Sequence, residues 1–201
     1  MCRRGAAPRL DGADAYGLLG EISRARGAWG EAIAWYKSAI EANPRKVESY
    51  MALSGLYEKK GDWEEAKRAA EQSHSLDPTS PFIANNLAYL YLEHDGDAHV
   101  ALSLAQQAKQ KLPDSPIVSD TIGWAYYKLG LAEAAVGPLN ESVRRAPGNA
   151  IYQYHLGMAY LAAGDPGNAA RSLRQALAAN PDSPYGASAR TALRSISKPT
   201  P

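Results

Sequence analysis

Residues 147–181 read PGNAIYQYHLGMAYLAAGDPGNAARSLRQALAANP, a segment that begins and ends with proline. Proline recurs along the chain at positions 44, 78, 113, 147 and 181, at spacings of 34, 35, 34 and 34 residues. A period of about 34 residues is typical of arrays in which one helical hairpin stacks on the next. The period therefore predicts five hairpins, and each residue can be interpreted by its place within a repeat.

Small residues return with the same period. A glycine ends the predicted first helix of each repeat, at Gly27, Gly61, Gly96, Gly130 and Gly164. Alanine recurs in the second helix at Ala32, Ala66, Ala101, Ala135 and Ala169. Glycine supplies the left-handed conformation that stops a helix, and alanine lets two helices cross closely. The third repeat needs one extra residue within 93–97 to stay in register.

These signals predict helix pairs at 14–26 and 30–42, 47–60 and 63–76, 82–94 and 98–111, 116–129 and 132–145, and 150–163 and 166–179. Ser80, Ser115 and Asp165 each precede a proline, which is the pattern of a side-chain N-cap followed by proline in the first turn. Asp62 and Glu65 have the spacing of a capping box.

The repeated pattern resembles the tetratricopeptide repeat family, and the resemblance covers residues 13–181. It implies an all-α fold, a right-handed superhelix of five helix-turn-helix repeats with a C-terminal capping helix. We assign the repeats to 13–46, 47–80, 81–115, 116–149 and 150–183, the capping helix to 184–197, a flexible segment to 1–12 and a tail to 198–201. The stretches 85–91, 113–116 and 120–124 are similar to bacterial repeat proteins linked to envelope assembly or export.

The composition argues against several kinds of partner. Lys and Arg number 22 against 21 Asp and Glu, so no basic surface for nucleic acid is expected. No apolar run is long enough to cross a membrane, and the single cysteine excludes an internal disulfide. The chain carries no signal peptide, which favours the cytoplasm by default, or the periplasm if the chain is a fragment of an exported protein.

Catalytic and metal-binding patterns find little support. The segment from His94 to His99 contains two histidines and two aspartates, which we interpret as turn and cap residues rather than metal ligands. Trp29 and Trp63 stand just after a turn glycine and are expected in the core. No nucleophile and base have triad spacing. We expect a protein that is not an enzyme and needs no cofactor or metal.

The family resemblance implies that repeat positions 2, 5, 9 and 12 line an inner groove. In the first two repeats these positions are polar and rather acidic, whereas in the last three they are aromatic and aliphatic. The predicted binding residues are Phe82, Asn85, Tyr89, Leu92, Ile117, Asp120, Trp124, Tyr127, Ile151, Tyr154 and Met158. Aromatic residues and methionine are enriched at interface cores, and Trp124 is the predicted hot spot.

The sequence thus predicts a non-catalytic scaffold that binds a partner peptide or helix in its groove, with bacterial envelope or export assembly as one setting. Two alternatives stay open. The chain is a self-assembly module that forms homo-oligomers, or it is an accessory repeat domain of a larger enzyme. The identity of the partner cannot be read from the sequence.

Overall fold

The computed structural model describes residues 12–94 and 96–197. Within these residues there are eleven helices and no strands, which confirms the predicted all-α repeat fold. The helices are α1 (Gly12–Ala25), α2 (Trp29–Ala42), α3 (Val47–Lys60), α4 (Trp63–Leu76), α5 (Pro81–Glu93), α6 (Ala98–Lys111), α7 (Pro116–Lys128), α8 (Ala132–Arg145), α9 (Ala150–Ala162), α10 (Pro166–Ala179) and α11 (Gly186–Ile196). The segment predicted to be flexible lies outside the described residues apart from Gly12, and so does the 198–201 tail.

The chain divides into two compact units, Met1–Thr79 and Ser80–Pro201. In the first unit α1 packs on α2 and α3 packs on α4, and the two hairpins meet through α2 and α3. In the second unit α5–α6, α7–α8 and α9–α10 form three hairpins that stack in chain order, and α11 packs on α10. The first helices of the second unit also contact one another, α5 with α7 and α7 with α9.

Glycine makes the turns inside the hairpins, as the sequence predicted. Gly27, Gly61, Gly130 and Gly164 have φ between 74° and 79°, a left-handed conformation that side chains other than glycine rarely adopt. Glycine also permits close packing between the two helices of a hairpin. A Cβ atom added to Gly157 would lie 2.7 Å from Leu173 Cγ, so α9 and α10 can approach only because no side chain is present there.

The second helix of each hairpin is buried through its small residues. All five recurrent alanines, from Ala32 to Ala169, have no exposed surface. Ala135 and Leu139 of α8 form a core cluster with Leu156 and Ala159 of α9, which places Ala135 at the predicted helix crossing. None of the helices in the described part of the chain is long and apolar enough to cross a membrane.

The N-caps follow the sequence prediction only in part. Asp165 caps α10 by accepting a hydrogen bond from the Asn168 amide at 3.0 Å, as predicted. Ser80, Ser115 and Asp62 make no side-chain cap bond, so the prediction is wrong at these three positions. Proline at the first turn already removes one free amide from α5 and α7, which lessens the need for a side-chain cap there.

Candidate functional site

The predicted binding residues divide by exposure into three groups. Phe82 and Ile117 are 65% and 53% exposed. Tyr89, Tyr127, Ile151 and Met158 are half-buried. The buried group is Asn85, Leu92, Asp120, Trp124 and Tyr154, which offer a partner little surface in the free chain.

Trp124 is held by contacts on both faces of its ring. The ring stacks on Tyr127 with centroids 4.6 Å apart and on His155 with centroids 4.0 Å apart. Its Nε1–H donates to Glu93 Oε1 at 2.7 Å, and only 5% of the residue is exposed. These contacts are typical of a residue that packs within the fold. The repeat position had instead predicted that Trp124 faces a partner as a hot spot.

Tyr185 occupies part of the surface that the sequence assigned to a partner. It is the residue before α11, and its ring stacks on Tyr154 with centroids 4.5 Å apart. The Tyr185 hydroxyl donates to the Glu93 carboxylate, the same group that accepts from Trp124. Burial and then the bond to Glu93 raise the pKa of the Tyr185 phenol. The start of the last helix therefore closes one part of the predicted binding surface.

Asp120 and His155 form a buried pair between α7 and α9. Asp120 Oδ2 lies 2.9 Å from His155 Nδ1, and the two side chains are 5% and 0% exposed. The other ring nitrogen, Nε2, has no hydrogen-bond partner among the described residues. The pair links adjacent repeats in the core, so Asp120 does not face an open groove.

Sequence reasoning missed this pair because it searched only for the spacing of a catalytic triad. Asp120 and His155 are 35 residues apart, about one repeat. In a stacked array, residues one period apart lie on neighbouring helices, so acid and base residues one repeat apart are the signal that would have found them.

The first unit contains an open, largely apolar cavity of about 420 Å³, which we call the α1–α3 cavity. Its lining residues come from α1, α2 and α3: Glu21, Arg24, Trp29, Glu48, Met51, Ala52, Gly55, Leu56 and Lys59. A second hollow of about 320 Å³ shares Glu21 and Glu48 with it and extends along α1 past Gly17 to Asp14. No atom lies within 4 Å of where a Cβ of Gly17 or Gly55 would be, so missing side chains leave this space open.

Several charges in the α1–α3 cavity are already satisfied. Glu21 accepts from Arg24 at 2.5 Å and from the Tyr36 hydroxyl at 2.6 Å. The Arg24 bond, followed by the Tyr36 bond, lowers the pKa of Glu21, and burial followed by Glu21 raises the pKa of Tyr36 to about 12. Lys59 Nζ lies 4.8 Å from the centre of the Trp29 ring. Neither Glu48 nor Lys59 makes an ion pair within the described residues, so Glu48 is the carboxylate of the site that has no cationic partner.

The sequence placed the apolar surface in the last three repeats and expected Trp29 and Trp63 in the core. Both tryptophans are instead 38% exposed, and Trp29 forms a wall of the α1–α3 cavity. The core prediction is therefore wrong for both residues. At Trp29, Gly55 of α3 lines the same cavity and has no side chain that could fill the space beside the ring.

The histidine segment of the third repeat has a structural role. The Asp97 carboxylate accepts from the His99 amide at 2.8 Å and so caps α6. His99 is exposed, and Asp95 lies outside the described residues. No group of three His, Cys, Asp or Glu side chains in the described ranges is arranged to hold a metal ion.

A family model described as tetratricopeptide repeat matches residues 3–47 and 121–184, and a second model with the same description matches 47–80. The chain belongs to the tetratricopeptide repeat family. Proteins built from these repeats are protein-interaction scaffolds, so the fold and the open cavities both point to binding.

Among curated proteins, the chain is similar to BBSome complex member BBS4 from Bos taurus, with 28% identity over 146 residues. The match covers 73% of this chain but only 28% of that protein.

Three solved structures illustrate the fold similarity. MamA aligns with a TM-score of 0.70 and 22% identity over 84% of this chain and 92% of its own. PilW, a type IV pilus biogenesis factor, aligns with a TM-score of 0.74 and 15% identity over 92% of this chain and 90% of its own. YrrB, a tetratricopeptide repeat protein with an unusual peptide-binding site, aligns with a TM-score of 0.68 and 19% identity over 89% of this chain and 92% of its own.

Proposed function

We propose that this chain is a non-catalytic scaffold that binds a peptide or helix of a partner protein, and that the α1–α3 cavity is the main contact. The observation that carries the proposal is an open cavity of about 420 Å³ whose walls include Trp29 and Met51. These two residues are 38% and 36% exposed, and Trp and Met are enriched where interfaces form their cores. Membership of an interaction family supports the same conclusion.

The charges around the cavity suggest what kind of segment it accepts. Glu21 and Arg24 satisfy each other, and Lys59 lies over Trp29. Glu48 is the carboxylate left for a partner, and a carboxylate beside an apolar surface favours a basic side chain. We infer a partner segment with an apolar side chain that enters beside Met51 and a Lys or Arg that reaches Glu48.

Filling the cavity tests the proposal without disturbing the core. Gly55→Leu places a side chain in the cavity, and its Cβ meets no atom within 4 Å. Gly30→Leu is the matched control, because Gly30 is also an uncrowded helical glycine of the first unit but does not line the cavity. Peptides selected from a random phage-displayed library on the wild-type chain should bind Gly55→Leu at least about 10-fold more weakly, a loss of about 1.4 kcal/mol. Binding to Gly30→Leu should be unchanged.

Two outcomes contradict this proposal. Selected peptides that bind both leucine variants equally well would place the binding surface elsewhere. Peptides that lack a basic residue, and whose binding is unaffected by Glu48→Gln, would contradict the inferred role of Glu48 while leaving the cavity in place.

We propose the exposed part of the originally predicted surface as a second contact, within the second unit. Phe82 and Ile117 line a small cavity of about 100 Å³, and Met158 lines a hollow of about 510 Å³ between α9 and α11. Phe82→Ala and Ile117→Ala should weaken the binding of peptides that contact this surface. Both variants should leave unchanged the binding of peptides that Gly55→Leu displaces from the α1–α3 cavity. If every selected peptide binds both alanine variants as tightly as it binds the wild-type chain, this second contact is refuted.

We further propose bacterial envelope or export assembly as the setting. The similarity of 85–91, 113–116 and 120–124 to bacterial envelope-linked repeat proteins supports it. The similarity in fold to PilW, a type IV pilus biogenesis factor, agrees with this setting. Cross-linking in the native cells followed by fractionation tests the setting. Partners drawn entirely from outside the envelope and export machinery would contradict it.

A further inference from the structure

The last helix begins differently from α7. Pro116 is the first residue of α7, and the carbonyl of Ser115 before it accepts a hydrogen bond from the amide four residues further on, at 3.1 Å. Pro184 follows the proline that ends the preceding repeat by three residues, as Pro116 does, yet α11 starts two residues after it. The Ser183 carbonyl accepts from the amide only three residues further on, that of Gly186, at 2.9 Å. A tight turn therefore replaces the first turn of the helix.

This turn carries Tyr185 into a pocket that helices of other repeats build. The ring stacks on Tyr154 with centroids 4.5 Å apart and meets the edge of the His155 ring at 5.3 Å. The hydroxyl donates to the carboxylate of Glu93, which lies 92 residues earlier in the chain. We call the site made by Glu93, Tyr154 and His155 the tyrosine pocket. It offers a flat wall and an edge to a ring and a charged acceptor to a hydroxyl, so it matches both parts of a phenol.

Neutral donors alone hold the Glu93 carboxylate. Trp124 Nε1–H donates to one oxygen at 2.7 Å, and the Tyr185 hydroxyl donates to the other. No Lys, Arg or His of the described ranges forms an ion pair with Glu93. Removing one donor from a half-buried carboxylate is unfavourable. An occupant of the tyrosine pocket must therefore present a donor at this point.

The hold of Tyr185 on the tyrosine pocket is separate from the packing of α11. That helix packs on α10, and its residues Ala189 and Ala192 are only 1% and 8% exposed. Between α9 and α11 lies the hollow of about 510 Å³, which Tyr154 also lines, whereas α7 and α9 contact each other directly. The Tyr185 ring can therefore leave the pocket while α11 stays on α10, and the turn before α11 can then rewind into the helical start seen in α7.

We propose that the tyrosine pocket binds a tyrosine side chain of a partner protein, and that Tyr185 is the internal occupant which this side chain displaces. Tyr185 itself shows the chemistry of the occupant, because its ring lies flat on Tyr154 and its hydroxyl satisfies Glu93. The adjoining hollow receives the residues that flank the partner's tyrosine. The proposal rests on the scaffold function proposed above and names the occupant of its second contact, and it does not depend on the α1–α3 cavity.

The internal occupant makes the contact autoinhibitory. A partner binds only the fraction of chains in which the tyrosine pocket is free, so its apparent affinity falls by that fraction. Weakening the hold of Tyr185 should therefore strengthen partner binding, whereas an ordinary contact residue would weaken it when removed.

Emptying the tyrosine pocket tests its chemistry. Tyr185→Ala vacates the pocket, and p-cresol, which is the tyrosine side chain as a free molecule, should bind the full-length variant in an NMR titration. Toluene lacks the hydroxyl that Glu93 accepts, so it should bind at least about 10-fold more weakly. Tyr185→Phe is the matched control, because its ring still fills the pocket and should exclude both compounds. Equal affinity for p-cresol and toluene, or no p-cresol binding by the folded alanine variant, would overturn the assignment.

Peptide selection tests displacement. Peptides selected from a random phage-displayed library on Tyr185→Ala should be enriched in tyrosine. They should bind the wild-type chain at least about 10-fold more weakly than Tyr185→Ala, and Tyr185→Phe with intermediate affinity, because phenylalanine competes without the bond to Glu93. If circular dichroism shows that the alanine variant does not fold, selection on Tyr185→Phe replaces it, and the peptides should again bind the wild-type chain more weakly.

Three results of the selection would contradict the proposal. Peptides that bind the wild-type chain and the variants equally well do not compete with Tyr185. Enrichment of Arg or Lys in place of tyrosine would show that Glu93 receives a cation rather than a phenol. Loss of binding in a chain that also carries Gly55→Leu would place the peptides in the α1–α3 cavity. Because that change should leave tyrosine peptides unaffected, failure of the α1–α3 cavity in its own test is distinguishable from failure of the tyrosine pocket.

Discussion

Removing the Trp124 side chain should destabilise the chain far more than it weakens partner binding. The residue is 5% exposed, and a buried tryptophan removes about 200 Å² from water, which at about 25 cal/mol per Å² is about 5 kcal/mol. Measured losses for replacing a buried large aromatic with alanine are roughly 3–5 kcal/mol. We therefore expect Trp124→Ala to lower the free energy of unfolding by about 4 kcal/mol.

Two comparison variants separate what the Trp124 hydrogen bond and the burial of its ring each contribute to stability. Trp124→Phe keeps most of the stacking on Tyr127 and His155 but removes the Nε1–H that donates to Glu93, so a loss of about 1–3 kcal/mol is expected. Phe82→Ala is the control for removing an aromatic ring of the same unit. Because Phe82 is 65% exposed, its loss should cost less than about 1 kcal/mol.

Urea unfolding followed by circular dichroism measures the three variants. With a slope of about 2.5 kcal/mol per molar, a loss of 4 kcal/mol lowers the midpoint by about 1.5 M. If Trp124→Ala unfolds at the same urea concentration as Phe82→Ala, then Trp124 does not pack as described. A stable Trp124→Ala variant that loses peptide binding would instead restore the hot-spot prediction made from its repeat position.

Two further predictions concern close packing and pH. A Cβ at Gly123 would overlap the Leu139 side chain, so Gly123→Ala should lower the free energy of unfolding by about 1–3 kcal/mol. A Cβ at Gly17 would meet no neighbouring side chain within 4 Å, so Gly17→Ala should raise the free energy of unfolding by about 0.5–1 kcal/mol. Thermal melts that rank the two variants in the opposite order would contradict the helix crossing. Burial, and then the bond to Glu21, raise the pKa of Tyr36 from 10.0 to about 12. The folded chain therefore holds the phenol proton more tightly than the unfolded chain does. The stability that this proton contributes is complete below pH 10 and is lost as the pH rises from 10 to 12. The wild-type chain should therefore lose more stability than Tyr36→Phe over that interval in urea titrations, and parallel curves would refute the environment described for this phenol.

Much of the fold follows from local chemistry that is visible in the sequence. The turn glycines Gly27, Gly61, Gly130 and Gly164 adopt the left-handed conformation because hardly any other residue can. The recurrent alanines are buried because their period matches that of the hairpins. Both signals recur with the period of the repeat, so the sequence shows them without knowledge of the tertiary contacts.

The functional surface depended on contacts that no single repeat contains. Periodicity showed which side of α7 Trp124 occupies, but Tyr185, which lies 61 positions further along, belongs to the cluster that covers that side. Asp120 became a core residue because His155 follows it by one repeat. The α1–α3 cavity opened where Gly55 supplies no side chain. Sequence by itself determined the helices, their turns and the faces they present. Tertiary structure decided which faces are covered, because coverage depends on side chains brought together from repeats far apart in the chain.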